Sequence, residues 1–145
     1  MDDLAVAKQR LKQERLSLVF VKHSKLIFET RTEGLSGFLQ AIDKHHRELL
    51  NSSVADRVIG KAAALLCVYS RVRAAFAVTL SQSGLEVLNT HEVHIEFEDV
   101  TPRILNQNKS AMCPFENLVE DIAEPKRAYE RIRHVCRAQN QHTVS

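Results

Sequence analysis

A cluster of charged residues between positions 56 and 61 is the first feature of this sequence that could do chemistry. Asp56, Arg57 and Lys61 precede or begin a mostly apolar run that ends at Tyr69. We predict one buried helix from Val54 to Tyr69, whose first two turns carry these charges. An acid and two bases at the start of a buried helix suit acid–base chemistry or the binding of an anionic group. The charges therefore predict that this end of the helix faces a pocket.

Each of these charges also has a purely structural explanation. Ser53-x-x-Asp56 matches a capping box, in which a hydroxyl and a carboxylate satisfy backbone N–H groups at the helix start. Lys61 can extend its ammonium to solvent, or it can bind an anion in a partly dry pocket. Asp56 and Gly60 begin a helical stripe of small residues, which permits the close approach of a ligand or of another backbone. The sequence leaves both explanations open.

A second candidate is the thiol of Cys113, which precedes Pro114, Phe115 and Glu116. Proline suits the first position of a helix, so this spacing makes Cys113 the N-cap and Glu116 the third helical residue. A thiol at a helix N-terminus meets free N–H groups and the positive end of the helix dipole, which favour the thiolate. Cys113 is therefore the best nucleophile candidate in the chain. The structural alternative is that Cys113 is a buried small residue that closes a loop.

These residues together define a predicted site. We expect Asp56 and Lys61 to meet Cys113 across one pocket, where two helix N-termini present free N–H groups to an anion. Cys113, Lys61 and Asp56 are the candidate catalytic residues, and we expect Cys67 and Cys136 to lie apart from them. The candidate ligand-binding residues are Arg57, Gly60, Ser81, Ser83, Ser110 and Glu116.

Composition and spacing argue against several other classes of protein. The chain has 145 residues, of which 44% are hydrophobic and 26% charged, and its net charge is +2. These values are typical of one soluble domain, and no basic stripe for nucleic acid is present. No segment has the length and apolarity of a membrane span. Three widely spaced cysteines form no disulfide framework, which favours a reduced, cytoplasmic protein. Without CxxC pairs, paired helical histidines or a phosphate loop, we predict no metal and no cofactor.

The elements that must position these residues alternate between helices and strands. A lead-in helix over residues 1–15 and a β-hairpin precede an amphipathic helix and the buried helix. A strand, a short helix, a second strand and the helix beginning at Pro114 follow. This order predicts an α/β fold. We expect a single domain over residues 1–145, with a core at 16–123 and a helical, partly frayed tail at 124–145.

The segment from Leu16 to Asp121 resembles a small prokaryotic family of unknown function within the cytidine deaminase-like superfamily. The resemblance is carried by ADRVIGKAAA at 55–64 and by CPFE at 113–116. It implies a three-layer α/β/α sandwich with a mixed central sheet and an active site where the buried helix begins.

The resemblance does not extend to the zinc-binding motifs of the superfamily. Zinc deaminases place His-x-Glu or Cys-x-Glu at the start of the buried helix and Pro-Cys-x-x-Cys at the start of the next one. At these two places this chain has Ala55-Asp56-Arg57 and Ser81-Gln82-Ser83-Gly84. The resemblance therefore implies the fold without the zinc site.

Two functions follow from the resemblance and the candidate site. One is a zinc-free deaminase-like domain that binds a small anionic or nucleotide-like molecule. The alternative is an enzyme in which Cys113 is the nucleophile and Lys61 and Asp56 are acid–base or anion-binding groups. Self-association is common in the superfamily, which implies a homodimer. We nevertheless expect the apolar side of the amphipathic helix, with Phe38 and Ile42, to cover the sheet of its own chain.

Overall fold

A mixed five-stranded sheet forms the centre of the molecule. The structure, a computed structural model, describes residues 2–104 and 114–143, with side chains up to residue 137. The strands are β1 (Leu18–Lys22), β2 (Lys25–Thr30), β3 (Ser53–Ile59), β4 (Ala74–Ser81) and β5 (His94–Thr101). Their order in the sheet is β2-β1-β3-β4-β5. β1 is antiparallel to both of its neighbours, whereas β3, β4 and β5 run parallel.

Helices cover the sheet unequally on its two faces. In the described ranges they are α1 (Asp3–Gln13), α2 (Leu35–Leu49), α3 (Lys61–Tyr69), α4 (Gln82–Thr90), α5 (Pro114–Leu118) and α6 (Pro125–Thr143). α1 packs on one face through its apolar stripe of Leu4, Ala7 and Leu11. The larger core on the other face includes residues of α2, α3, α4 and α6. The predicted α/β fold with a mixed central sheet is confirmed.

The predicted helix from Val54 to Tyr69 is wrong over its first part. Ser53–Ile59 is the strand β3, and α3 begins only at Lys61, after Gly60. β3 lies between two other strands, with Val54 in the core on one face and Ala55 in the core on the other. A strand covered on both faces loses the alternation of apolar and polar residues that marks a strand in sequence.

This correction removes the predicted capping box. Ser53 and Asp56 both lie on β3, paired in parallel register with Ala74 and Ala77 of β4. Their side chains therefore cannot cap a helix that starts five residues further along the chain than Asp56.

The amphipathic helix α2 behaves as expected. Phe38, Leu39 and Ile42 are buried in the larger core. The Phe38 ring meets Phe20 of β1 edge to face, with the ring centroids 5.2 Å apart. The apolar side of α2 therefore covers the sheet of its own chain, as predicted.

Candidate functional site

A cavity of about 740 Å³ lies where β3 leads into α3. Its walls come from the α1–β1 connection, the segment that follows β2, the end of β3, the first turn of α3 and α5. This is the C-terminal edge of the parallel strands, where open α/β sheets generally bind ligands. Four of the predicted site residues line the cavity: Asp56, Arg57, Gly60 and Glu116.

Asp56 in the cavity wall is an acid without an ion-pair partner among the residues that the structure describes. One of its carboxylate oxygens accepts a hydrogen bond from the Val58 N–H at 3.3 Å. The residue keeps some contact with the cavity, but protein surrounds its carboxylate. This desolvation raises the pKa of Asp56 to about 7, against the opposing effect of the backbone N–H groups of Val58 and Arg57. Asp56 therefore changes its charge near neutral pH.

Cys67 lies close to this acid without lining the cavity. Its thiol is fully buried on α3, and burial raises its pKa, with a further contribution from the Asp56 charge. The expectation that Cys67 is remote from the site is therefore wrong with respect to Asp56. The raised pKa keeps this thiol protonated and unreactive at neutral pH.

Glu116 caps α3 from a distant part of the chain. Its carboxylate accepts hydrogen bonds from the N–H groups of Lys61 at 2.7 Å and Ala62 at 2.8 Å. Gly60, the N-cap residue, has no side chain with which to do so. The prediction that the start of this helix offers free N–H groups to a ligand is wrong for Lys61 and Ala62, because Glu116 binds both.

The remote cap depends on glycine at position 60. A Cβ atom at this position would overlap the Glu116 carboxylate and approach the Ile104 side chain to 2.9 Å. Gly84 has a related function, since a Cβ there would lie 3.1 Å from the Gly60 backbone. Glycine at both positions therefore allows α4, α5 and the start of α3 to approach one another.

Lys61 does not join Asp56 at the cavity. Its Nζ donates a hydrogen bond to the backbone carbonyl of Glu120 at 2.9 Å, beyond the end of α5. The structure therefore separates two of the three candidate catalytic side chains. The third, Cys113, lies outside the described residues, as does Ser110.

Two predicted ligand-binding residues lie at the start of α4 instead. The Ser81 hydroxyl accepts a hydrogen bond from the Gly84 N–H at 2.9 Å and so caps that helix. The Ser83 hydroxyl lies 3.2 Å from the Ser81 hydroxyl. Neither residue is part of the cavity wall, so the structure does not bring them to this site.

Arg57 connects the cavity to the end of α1. Its guanidinium donates hydrogen bonds to the carbonyl groups of Leu16 at 2.9 Å and Leu11 at 3.0 Å. These bonds hold the α1–β1 connection against β3.

Sequence reasoning missed two arginines at the rim of the cavity. Arg15 and Arg31 are exposed, and Arg31 donates a hydrogen bond to the Glu14 carbonyl at 3.1 Å. They come from the α1–β1 connection and from the segment after β2. No local pattern in the sequence links these segments to β3, so only the folded sheet could reveal them.

The residues at the helix starts do not fit a zinc ion of the deaminase type. Because α3 begins at Lys61, the relevant positions are Gly60, Lys61 and Ala62 rather than Ala55 to Arg57. Glycine and alanine side chains offer no ligand, and the Lys61 ammonium is bound elsewhere. α4 begins with serine and glutamine where cysteines would be required. In the described residues, no three His, Cys, Asp or Glu side chains are grouped as metal ligands.

None of the helices within residues 2–104 and 114–143 combines the length and the apolarity needed to cross a membrane.

The structure defines an open-sheet α/β protein with a mixed five-stranded sheet. Two solved structures of RibD from Acinetobacter baumannii, form 1 and form 2, superpose on this chain with a TM-score of 0.52 at 13% sequence identity. The superposition covers 66% of this chain and 35% of RibD, so this chain spans about a third of that protein. This likeness concerns the fold alone.

Residues 6–136 match the family described as "Domain of unknown function (DUF1893)", and the chain belongs to this family. The DUF1893 family protein TM1506 from Thermotoga maritima has a crystal structure with a TM-score of 0.82 and 27% sequence identity. That superposition covers 94% of this chain and 89% of TM1506. The expected membership in a family of unknown function is confirmed. A search of curated proteins finds no match.

Proposed function

We propose that this domain binds a small molecule with an anionic group in the cavity in front of α3. The observation that carries the proposal is the cavity itself, with a desolvated acid in its wall and arginines at its rim. Strongly perturbed ionisable groups in a cleft are a physical indication of a functional site. The cavity volume of about 740 Å³ is within the range of small-molecule sites.

The arrangement of charge supports an anionic ligand. Arg15 and Arg31 lie exposed at the rim, beside one exposed acid, Glu33. The Glu116 carboxylate is already bound by two N–H groups of α3, whose dipole favours a negative charge at that point. Asp56 is partly protonated near pH 7 and therefore repels an anion less than an ordinary aspartate does.

The apolar part of the wall supports a ligand that also has a ring or a hydrocarbon portion. It includes Leu18 of β1, Leu35 of α2, Ala63 of α3 and Phe115 of α5. Such a surface next to charged groups suits a nucleotide-like molecule, in which a flat ring and an anionic group are joined.

The experiment uses mass spectrometry of the intact protein under native conditions. Purified protein is mixed with pools of nucleotides and anionic metabolites, and complexes with one bound molecule are identified by mass. Val58→Trp places a large side chain on the cavity wall from a residue that is 43% exposed. Val100→Trp is the matched control, since Val100 is 47% exposed and lies outside the wall on β5.

The proposal expects one bound molecule in the unmodified protein and in Val100→Trp, and loss of that complex in Val58→Trp. If no molecule binds from any pool, or if Val58→Trp binds as well as the control, the cavity is not a ligand site. Circular dichroism of both variants establishes that they are folded before the comparison is made.

An enzymatic function is the second candidate, and the pKa of Asp56 favours it. A carboxyl group with a pKa of about 7 is suited to transfer protons at neutral pH. Cys113, the predicted nucleophile, lies outside the described residues. Of the two other candidate catalytic residues, Asp56 supports this alternative, because Lys61 bonds to the Glu120 carbonyl. If a ligand is found, its consumption should be followed with the unmodified protein and with Asp56→Asn. Turnover that Asp56→Asn abolishes without weakening binding would favour catalysis over binding alone.

A further inference from the structure

We propose that the ligand of this cavity carries two opposite charges, with its anionic group at Arg15 and Arg31 and an amino group at Asp56. This inference rests on the proposed function, since it concerns the same cavity. It adds a second recognition point and therefore defines a narrower chemical class, the amino-substituted acids.

Within residues 2–104 and 114–137, the Asp56 carboxylate in the cavity wall forms no ion pair. The two nearest basic residues in sequence are both engaged elsewhere. Arg57 donates to two backbone carbonyls at the end of α1, and Lys61 donates to the Glu120 carbonyl. A buried carboxylate that lacks a cationic partner is costly, and the amino group of a ligand would supply that partner.

The rim offers the opposite charge. Neither Arg15 nor Arg31 belongs to the ion pairs of the described residues. Arg31 donates one hydrogen bond to the Glu14 carbonyl at 3.1 Å, and a guanidinium has five N–H donors in all. Arginine binds carboxylate and phosphate groups through paired hydrogen bonds. The two ends of the cavity are therefore complementary to a molecule with separated opposite charges.

Because Asp56 changes its charge near pH 7, the binding of a ligand amino group should depend on pH. Its pKa of about 7 means that the carboxylate forms as the pH rises from 6 to 8. An amino group that stays protonated in this range gains its partner on the alkaline side, so its contribution to binding increases with pH. The charged or titratable groups around Asp56 are Arg15, Arg31, Glu33, Arg57 and Glu116 in the cavity wall and Cys67 on α3.

The test uses a series of matched small probes rather than an unidentified ligand. The ω-amino acids 3-aminopropanoate, 4-aminobutanoate and 6-aminohexanoate vary the separation of the two charges. Each is compared with the carboxylate and with the amine of the same chain length. Dissociation constants are measured by ligand-observed NMR at pH 6 and pH 8, with the unmodified protein and with four variants. The variants are Asp56→Asn and Arg31→Gln, with Asp99→Asn and Arg127→Gln as exposed controls outside the cavity wall.

One of the three chain lengths should match the separation of Asp56 from the rim arginines. At pH 8, the ω-amino acid of that length should bind about tenfold more tightly than the carboxylate of the same length, a difference of about 1.4 kcal/mol. Asp56→Asn should remove this difference, and Arg31→Gln should weaken the ω-amino acid and the carboxylate alike. The two controls should leave both affinities unchanged. The difference should be smaller at pH 6 than at pH 8.

The remaining outcomes distinguish the two proposals. If the carboxylates bind as tightly as the ω-amino acids at every length, the two-charge ligand is wrong while an anion site in the cavity stands. The same holds if Asp56→Asn leaves the advantage of the amino group unchanged. If no probe binds and no complex appears in the mass spectra, the proposed function fails, and this inference fails with it.

Discussion

The backbone N–H groups at the starts of α3 and α4 are bound by acceptors of different origin. Both helices follow parallel, adjacent strands and begin at the same edge of the sheet. α4 is capped by Ser81, which lies three residues from the N–H group that it binds. α3 has Gly60 at its N-cap and receives the carboxylate of Glu116, which lies 55 residues beyond Lys61 in the sequence.

This difference coincides with the position of the cavity. Gly60, Ala62 and Ala63 line it, whereas Ser81 and Ser83 do not. A helix that is capped locally needs no other segment at its start. Because the cap of α3 comes from α5, the start of α3 borders a space between separate segments. Glu116 therefore both caps α3 and lines the cavity, whereas Ser81 caps α4 and does not line it. Mutations of the two caps should have different effects.

The largest expected effect is that of Gly60→Ala. The added methyl group would displace the Glu116 carboxylate, and the N–H groups of Lys61 and Ala62 would lose their partner. We expect a loss of about 4 kcal/mol in the free energy of unfolding, measured by urea denaturation. Gly34→Ala is the control, because its Cβ meets nothing within 4 Å and only its φ of 81° is unfavourable. That variant should lose about 1 kcal/mol. Equal losses in the two variants would contradict a steric requirement at Gly60.

Glu116→Ala tests the remote cap directly. It leaves two N–H groups at the start of α3 without an acceptor, one of them buried, and we expect a loss of about 3 kcal/mol in unfolding free energy. Glu116→Gln keeps an acceptor oxygen and should lose less. Glu120→Ala is the matched control, since Lys61 binds the backbone carbonyl of Glu120 and not its side chain. A loss in Glu120→Ala as large as that in Glu116→Ala would show that the cap is unimportant.

Asp56→Asn should raise stability in a pH-dependent way. The folded-state pKa of about 7 lies above the ordinary value of about 3.9, so the folded protein holds a proton that the unfolded chain releases. The contribution of Asp56 to stability is therefore greatest below pH 4 and falls as the pH rises to 7. Because Asp56 keeps some contact with the cavity, we discount the full effect of its pKa shift. We expect the stability advantage of Asp56→Asn over the unmodified protein to be about 2 kcal/mol larger at pH 8 than at pH 5. A pH-independent difference, with Asp99→Asn as control, would contradict a raised pKa.

The smallest expected effect is that of Ser81→Ala at the start of α4. Removal of an N-cap serine costs about 1 kcal/mol, and the loss here should be of that size. Ligand binding in the cavity should stay unchanged, because Ser81 does not line it. Loss of ligand binding in Ser81→Ala would contradict the separation of the α4 cap from the cavity.

The elements with a clear pattern could be predicted from the sequence. The hairpin, α1, α2, β4, α4 and β5 appear in the predicted order. β3 could not be predicted, because its residues are covered on both faces and continue without a polar break into α3. The error placed Asp56 on a helix, and the predicted pocket was argued from the start of that helix. A cavity nevertheless lies in this region, where β3 leads into α3.

The contacts that build the cavity could be predicted only in part. Pro114 begins α5 as its spacing indicates, but nothing near Glu116 reveals that its carboxylate caps α3. Arg15 and Arg31 reach the rim because β1 lies between β2 and β3. Strand order decides which distant segments meet, and sequence periodicity carries no information about strand order.

The most direct test of this account is the titration of the Asp56 carboxyl group. Carbon-13 NMR follows the side-chain carboxyl resonance from about pH 2 to pH 9, and its absence from the spectrum of Asp56→Asn assigns it. The account predicts a midpoint at about pH 7, because the carboxyl group is desolvated in the cavity wall without a cationic partner among the described residues. A midpoint near the ordinary value of about 3.9 would show that Asp56 is solvated or paired, and it would contradict the unpaired acid on which the proposed site depends.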